Sequence, residues 1–238
     1  MSSTTQTTST DNVRKHIVPW WGTALVLLPL AVGSAVSAHQ HTLEHVNLPG
    51  ISVRLSSYFT VMAEEWLSVL FIWLALRRRG LSISILVSGR WQNLGALLRD
   101  LGLAIGFLVA VVPIMAVMSR IFGDDPSSQI SFVPKTTFEV IIWLAMAATA
   151  GFCEELIFRG YLTQQLTAWT NNRFLAFVIQ GLAFGLAHGY QSRNMVVIMI
   201  YGWLLGLLAS WRKSLRPGIF AHALQDGVIG LLAFFLMK

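Results

Sequence analysis

About seven apolar runs, most near the length needed to cross a bilayer, decide what this chain can fold into. A hydrocarbon core about 30 Å thick takes roughly 20 apolar residues as a helix. Such runs occupy 20–38, 58–76, 101–118, 135–169, 174–188, 195–211 and 217–237. The expected fold is all-α, a polytopic transmembrane helical bundle of about seven spans with an interfacial amphipathic segment. Composition agrees, with 55% hydrophobic and 12% charged residues against about 25% charged in soluble domains.

A net charge of +6 could indicate nucleic acid. Here the basic residues lie between apolar runs, where they set orientation instead, so the bilayer is the expected partner and nucleic acid is not. Counted by side, Arg14, Lys15, Arg77, Arg78, Arg79, Arg90, Arg99, Arg159, Arg173, Arg212, Lys213 and Arg216 face Arg54, Arg120, Lys135, Arg193 and Lys238. The excess places the N-terminus in the cytoplasm. Cys153 is the single cysteine, so no intrachain disulfide forms.

Residues 1–19 read as a disordered cytoplasmic tail, opened by the Ser/Thr-rich stretch 1–12. The run at 20–38 is either a first span or a signal peptide, since Val36-Ser37-Ala38 has cleavage-site character; its length favours a retained helix. His39, His41, Glu44 and His45 follow, a tract that reads as a polar loop or a metal-binding run. Glu64 and Glu65 lie in the first third of the run at 58–76, where a structural ion pair or a lipid-interface role is expected. The stretch 81–100 mixes Ser, Arg and Trp with aliphatics and suits an interfacial segment. Residues 20–130 thus form an N-terminal unit of transmembrane helices, and 131–238 a second unit.

The second unit holds charge where charge is costly, roughly 2.5–3.5 kcal/mol per group on insertion scales. Glu154, Glu155 and Arg159 lie inside one apolar run, His188 closes the next, and His222 and Asp226 lie in the last. Pairs at a spacing of four share a helix face. Glu155 can therefore pair with Arg159, and Asp226 can orient His222, while Glu154 is left for other work. With a turn at Asn171, Glu154 and His188 are each 17 residues from its apex, about 25 Å along antiparallel helices. They should share one level. His222 fits less well, at only about 10 Å from a turn near Leu215.

One carboxylate, two imidazoles and a further carboxylate suit hydrolysis. The Glu can take a proton from water, and imidazole N–H groups can stabilise an oxyanion. The same Glu154, His188, His222 and Asp226 could instead bind a divalent metal such as zinc. There is no HExxH and no GxSxG. Cys153 sits beside two acids, where a thiolate would be a third anion. A purely structural polar network is the remaining reading of these clusters.

These motifs, EELIFR at 154–159, FGLAH at 184–188 and HALQD at 222–226, resemble the EExxxR, FxxxH and HxxxN/D motifs of the CPBP (CAAX protease and bacteriocin-processing, or Abi) family of intramembrane proteases. The resemblance covers roughly 135–235. It implies an intramembrane endopeptidase acting on a membrane protein or peptide, with 131–238 as its catalytic core. By position, Glu154 would activate water, His188 would help place it, His222 and Asp226 would stabilise the oxyanion, and Glu155 with Arg159 would shape the site. Eukaryotic members carry Asn at the position of Asp226, and an ionised Asp would repel an oxyanion. Asp226 would then carry a proton, only orient His222, or ligate a metal. The family includes both metal-dependent and glutamate-type descriptions. The short loops and Arg-rich borders resemble a bacterial inner-membrane member. Two other readings are a non-catalytic immunity or sorting factor of the same family and a small-ion or proton transporter using Glu64, Glu65 and the region of Glu154.

Overall fold

The computed structural model describes residues 17–43, 53–88, 90–122, 132–188 and 194–236, without the side chains of 36–43 and 194. Among these residues all regular structure is helical. The helices are α1 (Trp20–Leu43), α2 (Val53–Arg77), the one-turn α3 (Ser84–Val87), α4 (Leu94–Phe122), α5 (Thr137–Thr170), α6 (Arg173–Ala187), α7 (Asn194–Arg212) and α8 (Arg216–Leu236). Five of them, α2, α4, α5, α7 and α8, are long and apolar enough to cross a membrane; α6 and residues Trp20–Ala35 of α1 are shorter apolar helices. The chain is an integral membrane protein built as a polytopic helical bundle.

Helix α5 is the centre of the bundle. Of its most apolar stretch 61% is buried, against 11–33% in the other four long helices, because α2, α3, α6, α7 and α8 all pack on it. Its start is fixed by a capping box. Thr136 Oγ1 accepts from Glu139 N at 3.2 Å, and Glu139 Oε2 accepts from Thr136 N at 3.0 Å. Arg54 of α2 pairs with Glu139 at 3.0 Å, so two helices begin at one ion pair. At its far end Asn171 adopts the left-handed conformation (φ 51°) and Asn172 caps α6, as the Thr-Asn-Asn turn predicts.

Midway, residues Glu155–Leu162 of α5 wind as a π-helix. Thr163 Oγ1 donates to the carbonyl of Phe158, five residues back, at 2.9 Å. All eight residues of the segment are buried. Such wide turns occur mostly as short inserts in α-helices, frequently at functional sites. The start of α1 and the residues just before it are tied to the far half of α5, with Ile17 N donating to Gln165 Oε1 at 2.7 Å and Thr23 Oγ1 bonded to Tyr161 Oη at 2.9 Å.

Several expectations change. Residues 94–100 are the first turns of α4, so the third span begins at Leu94, and only α3 and its flanks remain of the expected interfacial segment. Leu94–Asp100 continue without a break into the apolar run, and nothing stops the helix between them. Arg159 is buried within α5 rather than in a loop, so it does not count toward orientation. Glu64 and Glu65 are mid-helix, because α2 starts at Val53, and neither makes an ion pair among the described residues. Residues 1–16, Glu44 and His45 lie outside the described residues, as do the side chains of Val36, Ser37, Ala38, His39 and His41.

Candidate active site

Glu154 and Glu155 stand where α5 passes from α to π winding. Glu155 is fully buried, and its Oε1 lies 3.0 Å from Arg159 Nη1. The guanidinium also donates from Nη2 to Gly202 O at 3.1 Å and lies over the Phe184 ring at 4.0 Å. Each contact offsets part of the cost of keeping the pair out of water. The pairing at a spacing of four matches the expectation from helical periodicity.

His188 ends α6. Its Nδ1 is 2.8 Å from Phe184 O. A carbonyl only accepts, so Nδ1 carries the proton and donates. Nε2 therefore faces Glu154 Oε2, at 3.4 Å. The equal spacing of Glu154 and His188 from Asn171 thus does bring them to one level. Phe184, the first residue of the FxxxH motif, packs against His188, His222 and Phe158 at once, and so sets the angle between two imidazoles and the arginine.

His222 reaches the same level. Nδ1 lies 3.3 Å from Glu155 Oε1, and Nε2 lies 3.7 Å from Glu154 Oε2 and 3.6 Å from Asp226 Oδ2. The reason is the turn between α7 and α8. Leu215 is buried, donates its N–H to Val87 O at 3.1 Å, and lies against Gly160 of the π segment. The turn is folded into the protein under α3, so a residue only seven positions beyond it is already deep. Helices α5 and α8 also meet backbone to backbone: a Cβ on Gly151 would stand 2.7 Å from Ala223 N.

The sequence places Asp226 as the carboxylate that orients His222. In the structure Glu155 holds Nδ1 and Asp226 faces Nε2, so the ring is held from both sides. Exposure divides the cluster. Glu155, Arg159 and His222 are a buried floor, whereas the side chains of His188 and Asp226 are 30% and 29% exposed. Access is from that rim. Two further residues border the site. Glu65 of α2 is 1% exposed, next to Trp66, which stacks on Phe152 of α5 with ring centroids 5.8 Å apart, and Tyr201 of α7 packs at right angles on the His222 ring with a buried hydroxyl that lacks a hydrogen-bond partner among the described residues. The cost of an acid in a span was a signal for Glu65; Tyr201 had none.

Among the described residues no three His, Cys, Asp or Glu side chains are grouped so as to hold an ion. His188 and His222 instead contact Glu154 directly.

Two acids, an arginine and two histidines, carried by three helices, thus converge on one level of the bundle. Residues 136–228 match the family model described as type II CAAX prenyl endopeptidase Rce1-like. That match bears out the resemblance carried by the three motifs and is consistent with the CPBP/CAAX protease family. The chain is also similar to the uncharacterized protein YpbD of Bacillus subtilis (strain 168), at 28% identity over 131 residues, covering 52% of this chain and 64% of that one. The chain thus spans less than two thirds of that relative. No solved structure matches.

Proposed function

We propose that the protein is an intramembrane endopeptidase that cleaves a membrane-associated protein or peptide with a water activated by Glu154. The observation that carries this reading is the position of Glu154 Oε2. It has no hydrogen-bond partner among the described residues, and imidazole nitrogens from two other helices stand 3.4 and 3.7 Å away. A water at that oxygen would lie between a base and His188 Nε2, on the exposed rim.

In this scheme Glu154 takes one proton from water as the oxygen attacks the peptide carbonyl. His222 donates from Nε2 to the oxyanion, held by Glu155 and Asp226. The C–N bond then breaks and Glu154 returns its proton to the leaving nitrogen, so the base is regenerated. Glu155 and Arg159 act by fixing His222. No step runs through a metal ion. The basic borders favour a bacterial inner membrane with the N-terminus in the cytoplasm.

The test begins by comparing membrane proteomes of cells carrying wild type and Glu154→Ala, to find uncleaved substrates that accumulate. With such a substrate, Glu154→Ala and His188→Ala are each expected to lose on the order of 10²–10⁴-fold in cleavage while inserting and eluting from gel filtration as wild type does. Cleavage by both variants at the wild-type rate would sink the proposal. A phenotype that survives Glu154→Gln would point to the non-catalytic immunity or sorting role. A divalent-cation chelator is expected to leave the rate unchanged.

A further inference from the structure

The turn between α7 and α8 gathers more positive charge than its surroundings neutralise. Asp100 of α4 is buried there among three guanidiniums: Arg99 beside it, Arg212 at the end of α7 and Arg216 at the start of α8. Trp91 Nε1 donates to Asp100 Oδ2 at 3.0 Å, but the arginine nitrogens stand 3.6–3.8 Å from the carboxylate. At that separation they are ion pairs without hydrogen bonds. Arg216 commits Nη2 to Ser88 O and Nε to Ser214 Oγ, each at 3.2 Å. Arg216 Nη1 and Arg212 Nε are buried with no hydrogen-bond partner among the described residues, and Asp100 Oδ1 accepts no hydrogen bond there. No other carboxylate among the described residues pairs with these arginines. Three cations against one anion leave charge unmatched, and two buried N–H groups lack an acceptor. A phosphate diester supplies both a negative charge and several oxygens, the arrangement guanidiniums hold best.

The surroundings indicate what carries that phosphate. The cluster stands where α4 and α8 begin and α7 ends, so it lies at one border of the apolar spans. Beside it the outward faces are apolar. Leu94 and Leu98 of α4, and Leu207 and Trp211 of α7, are exposed pairs at a spacing of four. Helices α4 and α7 pack on each other, and both are long and apolar enough to cross a membrane. Basic groups at the edge of such faces suit an amphiphile whose head is anionic and whose tails are hydrocarbon.

We propose that the turn between α7 and α8 binds the phosphate of an anionic phospholipid headgroup through Arg99, Arg212 and Arg216, with the acyl chains lying along α4 and α7. Arg99 and Arg212, with side chains 57% and 25% exposed, form the open edge of the site, and Arg216, at 12%, forms its floor. The headgroup supplies the charge that Asp100 alone does not match. It thereby braces the start of α4 against the turn that seats His222. A free phosphate ion has the same oxygens without the chains, and a zwitterionic headgroup brings a cation of its own.

The test needs no substrate. The full chain, in micelles of a neutral detergent, is titrated with phosphatidylglycerol, phosphatidylcholine or inorganic phosphate while its thermal unfolding midpoint is followed. Phosphatidylglycerol is expected to raise the midpoint saturably, on the order of 5 °C at about 100 times its dissociation constant. The other two should leave it in place. Arg99→Gln and Arg212→Gln are each expected to raise the half-saturating lipid about 5-fold. Arg99 is mostly exposed, so its variant keeps the test open if Arg212→Gln does not fold. The control is Arg78→Gln/Arg79→Gln, which removes two exposed cations where α2 ends, outside the cluster; its half-saturation should match wild type. No rise with phosphatidylglycerol, or half-saturation in Arg99→Gln equal to wild type, overturns the site. An equal loss in the control would reduce it to the general attraction of a basic border. An equal rise with inorganic phosphate would reject the lipid, and an equal rise with phosphatidylcholine would reject recognition by charge. None of these readouts involves cleavage, so they stand apart from the reading of Glu154.

Discussion

A guanidinium kept from water needs acceptors for its protons, and Arg159 finds them in Glu155, Gly202 O and the face of Phe184. Removing only one member of a buried pair strands the other. Arg159→Ala is therefore expected to destabilise the protein by about 3–5 kcal/mol, read as a lowered midpoint of thermal unfolding in detergent. Arg159→Lys should rescue little, because one ammonium cannot serve a carboxylate and a carbonyl in the fork geometry of an arginine. If Arg159→Ala melts with wild type, the pair is not what holds this turn. The partnership was legible in the sequence, since a spacing of four puts two residues on one helical face whether or not the neighbours are known. Glu65 was different. It is buried where α2 packs on α5, beside Trp66, which stacks on Phe152 86 residues on in sequence, and spacing within α2 says nothing about which helix its inner face will meet.

The π segment of α5 was invisible for a related reason. Glu155 and Arg159 keep a spacing of four that an α-helix also satisfies, and Leu156-Ile157-Phe158 between them add no polar residue whose phase would betray a wider turn. The turn before α8 was hidden too, because Val87 and Leu215 meet only after folding. The close approach of α5 and α8 emerges only in the fold, at Gly151. Gly151→Ala would place a methyl 2.7 Å from backbone of Ala223, which cannot swing aside. It is expected to part the helices that carry Glu154 and His222 and to slow cleavage on the order of 10²-fold. Gly102→Ala in α4, where a Cβ would meet nothing within 4 Å, should leave the rate alone and add roughly 0.5–1 kcal/mol of helix stability. Equal effects of the two substitutions on cleavage would refute the contact argument.

Across the whole molecule, the family-matched segment is bound to the rest at several places: Ile17 and Val18 to Gln165, Arg54 to Glu139, and Trp66 to Phe152. A further clasp lies at α4. Asp100 is 1% exposed and gathers Trp91 Nε1 at 3.0 Å with Arg212, Arg216 and Arg99 at 3.6–3.8 Å. It joins the beginning of α4 to the turn that seats His222. Asp100→Ala is expected to speed tryptic cleavage at Arg212 and Lys213 more than it lowers the unfolding temperature; unchanged trypsin sensitivity would count against the clasp. The clasp also sets a schedule for making the protein. Asp100 leaves the ribosome 112 residues ahead of Arg212, a wait of roughly 5–20 s at ordinary rates of synthesis. Until then a buried acid has only Arg99 and Trp91 for company, in a helix already in the bilayer. Nascent chains halted inside that window should be better substrates for membrane quality-control proteases than chains halted just beyond Arg216.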